Sequence, residues 1–174
     1  MQTQECDKLP AKRPLRRMLM LLGGSVLAIL VSLGLASPAQ AVTHNDAMFW
    51  FYVGGISVSS TGNCSHRDVP SCTSFEGLRD ATLHGMLTLK SASGCSINIT
   101  GGTEAGHAGG TYSHWNGWKL DISHYSCIDN YVRTRFTYVG YIAGWGHQWR
   151  SGSGNLYTDE GGHWDILVYN CGGC

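Results

Sequence analysis

The chain has 174 residues, of which 24 are Gly and only 14% are charged. Its formal net charge is zero, yet residues 1–41 hold five basic side chains against two acids, leaving seven basic and ten acidic groups in 42–174. That balance excludes a nucleic-acid binder driven by phosphate neutralisation, which needs a basic face. The Gly content and sparse charge argue against long solvated helices and for a loop-rich fold with a sheet. All eight His lie beyond residue 41, where they outnumber Lys plus Arg. Such a surplus directs attention to metal ligation or proton transfer.

The basic residues from Lys8 to Arg17 precede an apolar run from Met18 to Leu35, and Ala39-Gln40-Ala41 closes it with a small-x-small processing pattern. Residues 1–41 are expected to be a signal peptide, with an uncleaved N-terminal membrane anchor as the rival. On either reading, residues 42–174 form one domain that is secreted or held in the periplasm or cell envelope. A monomer is expected, with no membrane contact beyond the leader. Apart from Cys6, the cysteines are Cys64, Cys72, Cys95, Cys127, Cys171 and Cys174. Six Cys in an oxidising compartment imply three disulfides, with fifteen connectivities open. Cys171-Gly-Gly-Cys174 reads as a terminal staple, because no strand-then-helix context makes it a redox motif.

In chain order, 42–58 is an apolar lead-in expected to be extended, and Ser59 to Ser71 a loop pinned by Cys64 and Cys72. Thr73-Ser74-Phe75-Glu76 fits a capping box, followed by Phe75, Leu78, Thr82, Met86 and Leu89 at helical spacing. This main helix is expected to reach about Ser91 and to stop before Gly94. Strands are then expected at Ser96 to Thr100, Trp118 to Ile122, Val132 to Ile142, Asn155 to Thr158 and His163 to Tyr169. One helix followed by successive strands predicts α+β, a mainly antiparallel sheet with the helix packed on it.

Two segments concentrate unusual chemistry: Ser113-His114-Trp115-Asn116-Gly117-Trp118-Lys119-Leu120-Asp121 and Asp159-Glu160-Gly161-Gly162-His163-Trp164-Asp165. His114 ends a Gly-rich loop, Asp121 lies in a strand, and Gly117 permits a sharp turn between them. His163 opens another strand. Two His and one carboxylate suit a tetrahedral Zn2+ with its fourth position open. Glu160, three residues before His163, is spaced to take a proton from water at that position. The same residues also suit hydrogen-bonded sheet histidines with a turn carboxylate.

Ser-His-x-x-Gly-x-x-x-Asp followed by Glu-x-x-His resembles the zinc D-alanyl-D-alanine carboxypeptidase and dipeptidase family, whose fold is shared with the hedgehog signalling domain. The likeness runs from about Thr73 to Tyr169. It implies that His114, Asp121 and His163 hold Zn2+, that Glu160 is the catalytic acid/base, and that Ser113 matches the Ser preceding the first ligand. It further implies a secreted zinc metallopeptidase, a carboxypeptidase or endopeptidase acting on peptidoglycan-type peptides near D-Ala. Where that family carries Ser-Gly-Tyr-Arg, whose Arg binds a substrate carboxylate or the transition state, this chain has Thr100-Gly101-Gly102-Thr103-Glu104. Glu104 is then a candidate for reading a substrate amine, or a cap for the following loop. Ser113, His107 and His147 are further substrate-binding candidates. The alternative function is a non-catalytic zinc-stabilised binding domain. A third reading, a disulfide-rich carbohydrate-binding protein using its six Trp, needs no metal.

Overall fold

The computed structural model describes residues 41–171. The expected leader up to residue 40 and the terminal Cys174 lie outside the described residues. A seven-stranded mixed sheet is flanked by three helices, in the chain order α1 (His44–Val53), β1 (Ser57–Val58), α2 (Asp80–Ser93), β2 (Asn98–Gly101), β3 (Lys119–Ser123), α3 (Ser126–Arg135), β4 (Thr137–Ile142), β5 (Gly146–Arg150), β6 (Leu156–Asp159) and β7 (His163–Leu167). The strands run β1-β2-β3-β7-β6-β5-β4 across the sheet. Only β1 and β2 pair in parallel; the other five ladders are antiparallel.

The α+β expectation holds in outline, and its helix content needs correction. The lead-in 42–58 is mostly helix rather than extended chain. Thr43 caps α1, its hydroxyl accepting from the Asp46 backbone N–H at 3.2 Å. The capping box does not open α2, which starts at Asp80 with Arg79 as its N-cap. Its residues are engaged elsewhere: the Thr73 hydroxyl donates to the carbonyls of Ser59 and Thr100, and the Ser74 N–H donates to the Glu104 carboxylate. Gly94 ends α2 at φ +65, the left-handed C-cap its position foretold. The expected strand from Val132 begins only at Thr137, because α3 continues to Arg135 and buries Ile128 and Val132 four residues apart. Strand β5 was not foreseen at all.

Apolar side chains of all three helices join Ile99, Leu120, Ile122, Trp164 and Ile166 in one buried cluster. Register then fixes the opposite face of the sheet. Asp121 pairs with Asp165, and Ser123 with His163, so Lys119, Asp121, His163 and Asp165 all point away from the cluster. Two disulfides are described, Cys64–Cys72 and Cys95–Cys127, and Cys171 is disulfide-bonded as well. They fit an oxidising, extracytoplasmic compartment. Among the described residues no helix is long and apolar enough to cross a membrane.

Candidate metal centre

The face of β3 and β7 that points away from the core is roofed by the loop between β2 and β3. That loop is folded back by Arg67, whose guanidinium donates to the carbonyls of Thr103 and Trp115 and lies 4.0 Å over the Trp115 ring. At its end, Gly117 sits at φ +73 and donates to the His114 carbonyl at 2.8 Å, the sharp turn expected between His114 and Asp121. Gly101 stands opposite Asp121 in β2, and a Cβ there would collide with the Asp121 carboxylate. A glycine at 101 is what admits the acid.

These elements enclose a cleft of about 250 Å³ containing His107, His114, Lys119, Asp121, Trp145, Glu160, His163 and Asp165. His114 is 3% exposed and its Nδ1 lies 2.7 Å from the Gly102 carbonyl. That hydrogen bond orients the ring and leaves Nε2 facing Asp121 Oδ1 at 3.3 Å and Asp165 Oδ2 at 3.4 Å. Burial opposes a charge on this ring, but the two carboxylates outweigh it and raise its pKa to about 10. His163 Nε2 stands 3.6 Å from the same Asp121 Oδ1 and 3.3 Å from Glu160 Oε2. Asp121 Oδ1 is buried and takes no hydrogen bond, and neither does Glu160 Oε1. Two imidazole nitrogens thus converge on one unsatisfied carboxylate oxygen, a donor set that suits a divalent cation.

His107 completes a second combination. Its ring stacks on His114 with centroids 3.8 Å apart, and its Nδ1 is 3.7 Å from Asp121 Oδ2. Ligand atoms of His107, His114 and Asp121 all lie within 4.8 Å of one another, so these three could hold a metal ion. The other His107 nitrogen faces Glu104 Oε1 at 3.1 Å. A carboxylate behind a ligating imidazole is the usual means of orienting it.

Glu104 itself is 3% exposed, accepts from the backbone N–H groups of Ser74 and Gly102, and does not line the cleft. Burial works against its charge, but His107 and those amides outweigh it and hold its pKa below the usual carboxylate range. It stands behind the site, bracing His107, rather than in it. Ser113 is 3% exposed and accepts from the Asn116 N–H, a turn residue beneath His114. His147 falls on the far face of the sheet: it pairs with Asp159, which pairs with Trp164, and its Nδ1 meets the Tyr138 hydroxyl at 2.7 Å.

Lys119 and Trp145 were missed as site residues. Asp165 lines the cleft on the face that strand alternation from His163 assigns it, as a group able to orient a ligand. Lys119 was legible by the same rule from Asp121, and its ammonium lies 2.8 Å from Asp165 Oδ2 and 5.1 Å from the Trp145 ring. Burial tends to neutralise Asp165, but His114 and Lys119 overcome it and keep its pKa low. For Glu160 the balance goes the other way. Burial and the neighbouring Asp165 raise its pKa, only partly offset by His163. No family model, curated protein or solved structure matches this chain.

Proposed function

We propose that the domain is a secreted zinc metallopeptidase acting on peptidoglycan-type peptides near a D-residue. The observation that carries the reading is Asp121 Oδ1, buried without a hydrogen bond between the Nε2 atoms of His114 and His163, with Glu160 in the same cleft. His114, Asp121 and His163 would hold zinc, with His107 and Asp165 within reach of the same point. Zinc bound there supplies Lewis acidity, polarising a peptide carbonyl and easing deprotonation of water.

Glu160 takes the proton from the attacking water and returns it to the leaving amine nitrogen. Its raised pKa suits both halves of that task, since a base with a pKa nearer neutrality is also a competent acid. Lys119 is the only Lys or Arg among the described residues lining the cleft. It places positive charge where a carbonyl oxygen becomes negative during attack. Trp145 narrows the opening and limits bulk water.

The test is Glu160→Gln, which keeps size but cannot accept a proton. Zinc content should be unchanged while release of amino acids or shorter muropeptides from a cell-wall digest falls at least ~10²-fold. Full turnover with zinc retained would remove Glu160 from the chemistry. One observation favours a second reading, a zinc-stabilised binding domain without turnover. Where the resembled family places its substrate-binding Arg, Glu104 is buried and consumed by internal hydrogen bonds. Stoichiometric zinc with no hydrolysis by the unmodified chain would select that reading.

A further inference from the structure

Strand β4 is the outer edge of the sheet, and Tyr138, Val139, Tyr141 and Ile142 on it are all exposed. Strict alternation would send Tyr138 and Tyr141, three positions apart, to opposite faces. The ladder to β5 instead shifts register between Tyr138 and Gly140, so that Tyr138 lies opposite Trp149 and Tyr141 opposite His147. Trp149 and His147 are two apart in β5 and share a face, so both tyrosines share it too. Gly140, at φ +139 with open space around it, absorbs the bulge. The chain has bent an edge strand so that four rings meet.

They do meet. Ring centroids are 5.2 Å apart for Tyr138 and Trp149, 5.8 Å for Tyr138 and His147, and 5.1 Å for Tyr141 and His147. Trp149 is anchored from beneath by the edge of Trp164 at 5.4 Å. Neighbouring rings are tilted by 37° to 60°, giving a faceted surface rather than a flat one. Tyr141 is 62% exposed and Tyr138 51%.

Charge decides what fits. From Phe136 to Trp149 there is no Lys, Arg, Asp or Glu, and the charges beside the rings, Asp159 opposite His147 and Arg133 at 2.8 Å from that carboxylate, pair with each other. A polyanion or an anionic lipid surface would call for basic residues at this rim. A second copy pairing strand to strand is disfavoured by the bulge, which twists the edge out of line. A rigid aromatic surface with no unpaired charge, and with hydroxyl and imidazole groups at its margin, matches a neutral sugar chain. Pyranose C–H faces pack on the rings, and sugar hydroxyls bond to the polar tips.

We infer that the β4–β5 aromatic face binds a neutral polysaccharide, separately from the cleft on the other side of the sheet. This goes beyond the hydrolytic reading and does not depend on it. The experiment is co-sedimentation of the purified chain with insoluble chitin, a neutral polymer of N-acetylglucosamine. The chain should pellet with the polymer, and retention should survive molar salt. Tyr141→Ala should weaken retention about tenfold, the scale of one lost ring contact. Gly140→Val keeps every ring but strains the bulge, and should weaken retention as well, with circular dichroism confirming the fold. Equal retention of Tyr141→Ala and the unmodified chain would overturn the inference. So would retention abolished by salt, binding to phosphatidylglycerol vesicles without binding to chitin, or a concentration-dependent dimer that Tyr141→Ala disrupts. Absence of peptide hydrolysis would leave the result untouched, so the two proposals fail independently.

Discussion

Two histidine–carboxylate clusters lie on opposite faces of β7, separated by one residue of sequence. On the core side, His124 faces Asp129 at 2.8 Å and Asp159 at 3.3 Å. Trp164 donates its indole N–H to Asp129 at 2.7 Å, and Arg133 donates to Asp159 at 2.8 Å. Each of those carboxylates has a donor supplied by the protein, and among the described residues the one buried atom left without a hydrogen bond there is an imidazole nitrogen, His124 Nε2. On the cleft side, Asp121, Glu160 and Asp165 face one ammonium and three imidazoles, and oxygens of Asp121 and Glu160 stay unsatisfied. The chemistry of the side chains is nearly the same in both places. What separates a strut from a site is whether the protein satisfies its own carboxylate oxygens.

The largest expected difference lies in metal affinity. Asp121→Asn should weaken zinc binding more than ~100-fold, above the scale seen for groups that only support a ligand. Asp129→Asn should leave zinc content unchanged and lower the melting temperature instead, as a half-buried charge-assisted bond worth roughly 1.5 kcal/mol is lost. Metal analysis and calorimetry on both variants test this, and equal zinc loss in the two would erase the contrast.

The disulfides sharpen it next. Cys95–Cys127 closes a separation of 32 residues and ties the first turn of α3, which carries Asp129 and Arg133, to the start of β2. Cys64–Cys72 spans only 8. Loop entropy assigns the longer bridge about 3.7 kcal/mol and the shorter about 2.5 kcal/mol. Replacing the Cys95–Cys127 pair by Ser should therefore cost more stability than replacing the Cys64–Cys72 pair, measured by denaturant titration. The reverse ranking would show that the closed cluster does not depend on its tether.

Glu104→Gln comes third. A buried carboxylate that accepts several amide bonds should cost about 1–3 kcal/mol when neutralised. Zinc affinity should also fall ~10-fold or more if His107 shares the metal. Unchanged stability with altered substrate preference would return Glu104 to the role of amine reader.

The smallest effect is acid sensitivity of the closed cluster. Burial tends to raise the Asp159 pKa, but Arg133, the Gly161 amide and His124 outweigh it, leaving it below the ordinary value. A depressed folded pKa stabilises the domain above the unfolded value of about 3.9, and that stability is lost as pH falls through the folded value. Arg133→Met should raise the midpoint of acid unfolding, by an amount worth less than about 1 kcal/mol for so exposed a partner. Tryptophan fluorescence against pH reads it, and an unmoved midpoint would sink the assignment.

The strands around the site were legible because their signals are local. Lys119 to Ser123 and His163 to Leu167 alternate plainly, and Gly117 marks the turn. What escaped was set by contacts distant in sequence. Met48 to Val53 reads as an apolar run, and only Thr43 with Asp46 betrays a helix start. Thr73 to Glu76 has the pattern of a capping box, yet its donors serve the Glu104 loop some thirty residues away. His107 resembles any loop histidine until the fold stacks it on His114. His147 looked suited to the cleft because its face depends on a register that sequence spacing does not reveal.

Glu160 follows Asp159 and Asp165 follows Trp164, so neighbouring residues along β6, its turn and β7 serve opposite faces. A single-residue insertion or deletion in this hairpin would exchange the two sets, sending Trp164 towards the cleft and Asp165 into the apolar cluster. Over generations the segment can accept replacements one at a time but hardly any change in length. The turn between β4 and β5 is bound in the same way, because Trp145 reaches the cleft while Tyr141 and His147 on either side of it belong to the aromatic face. Length variation among descendants of this chain should therefore spare both turns.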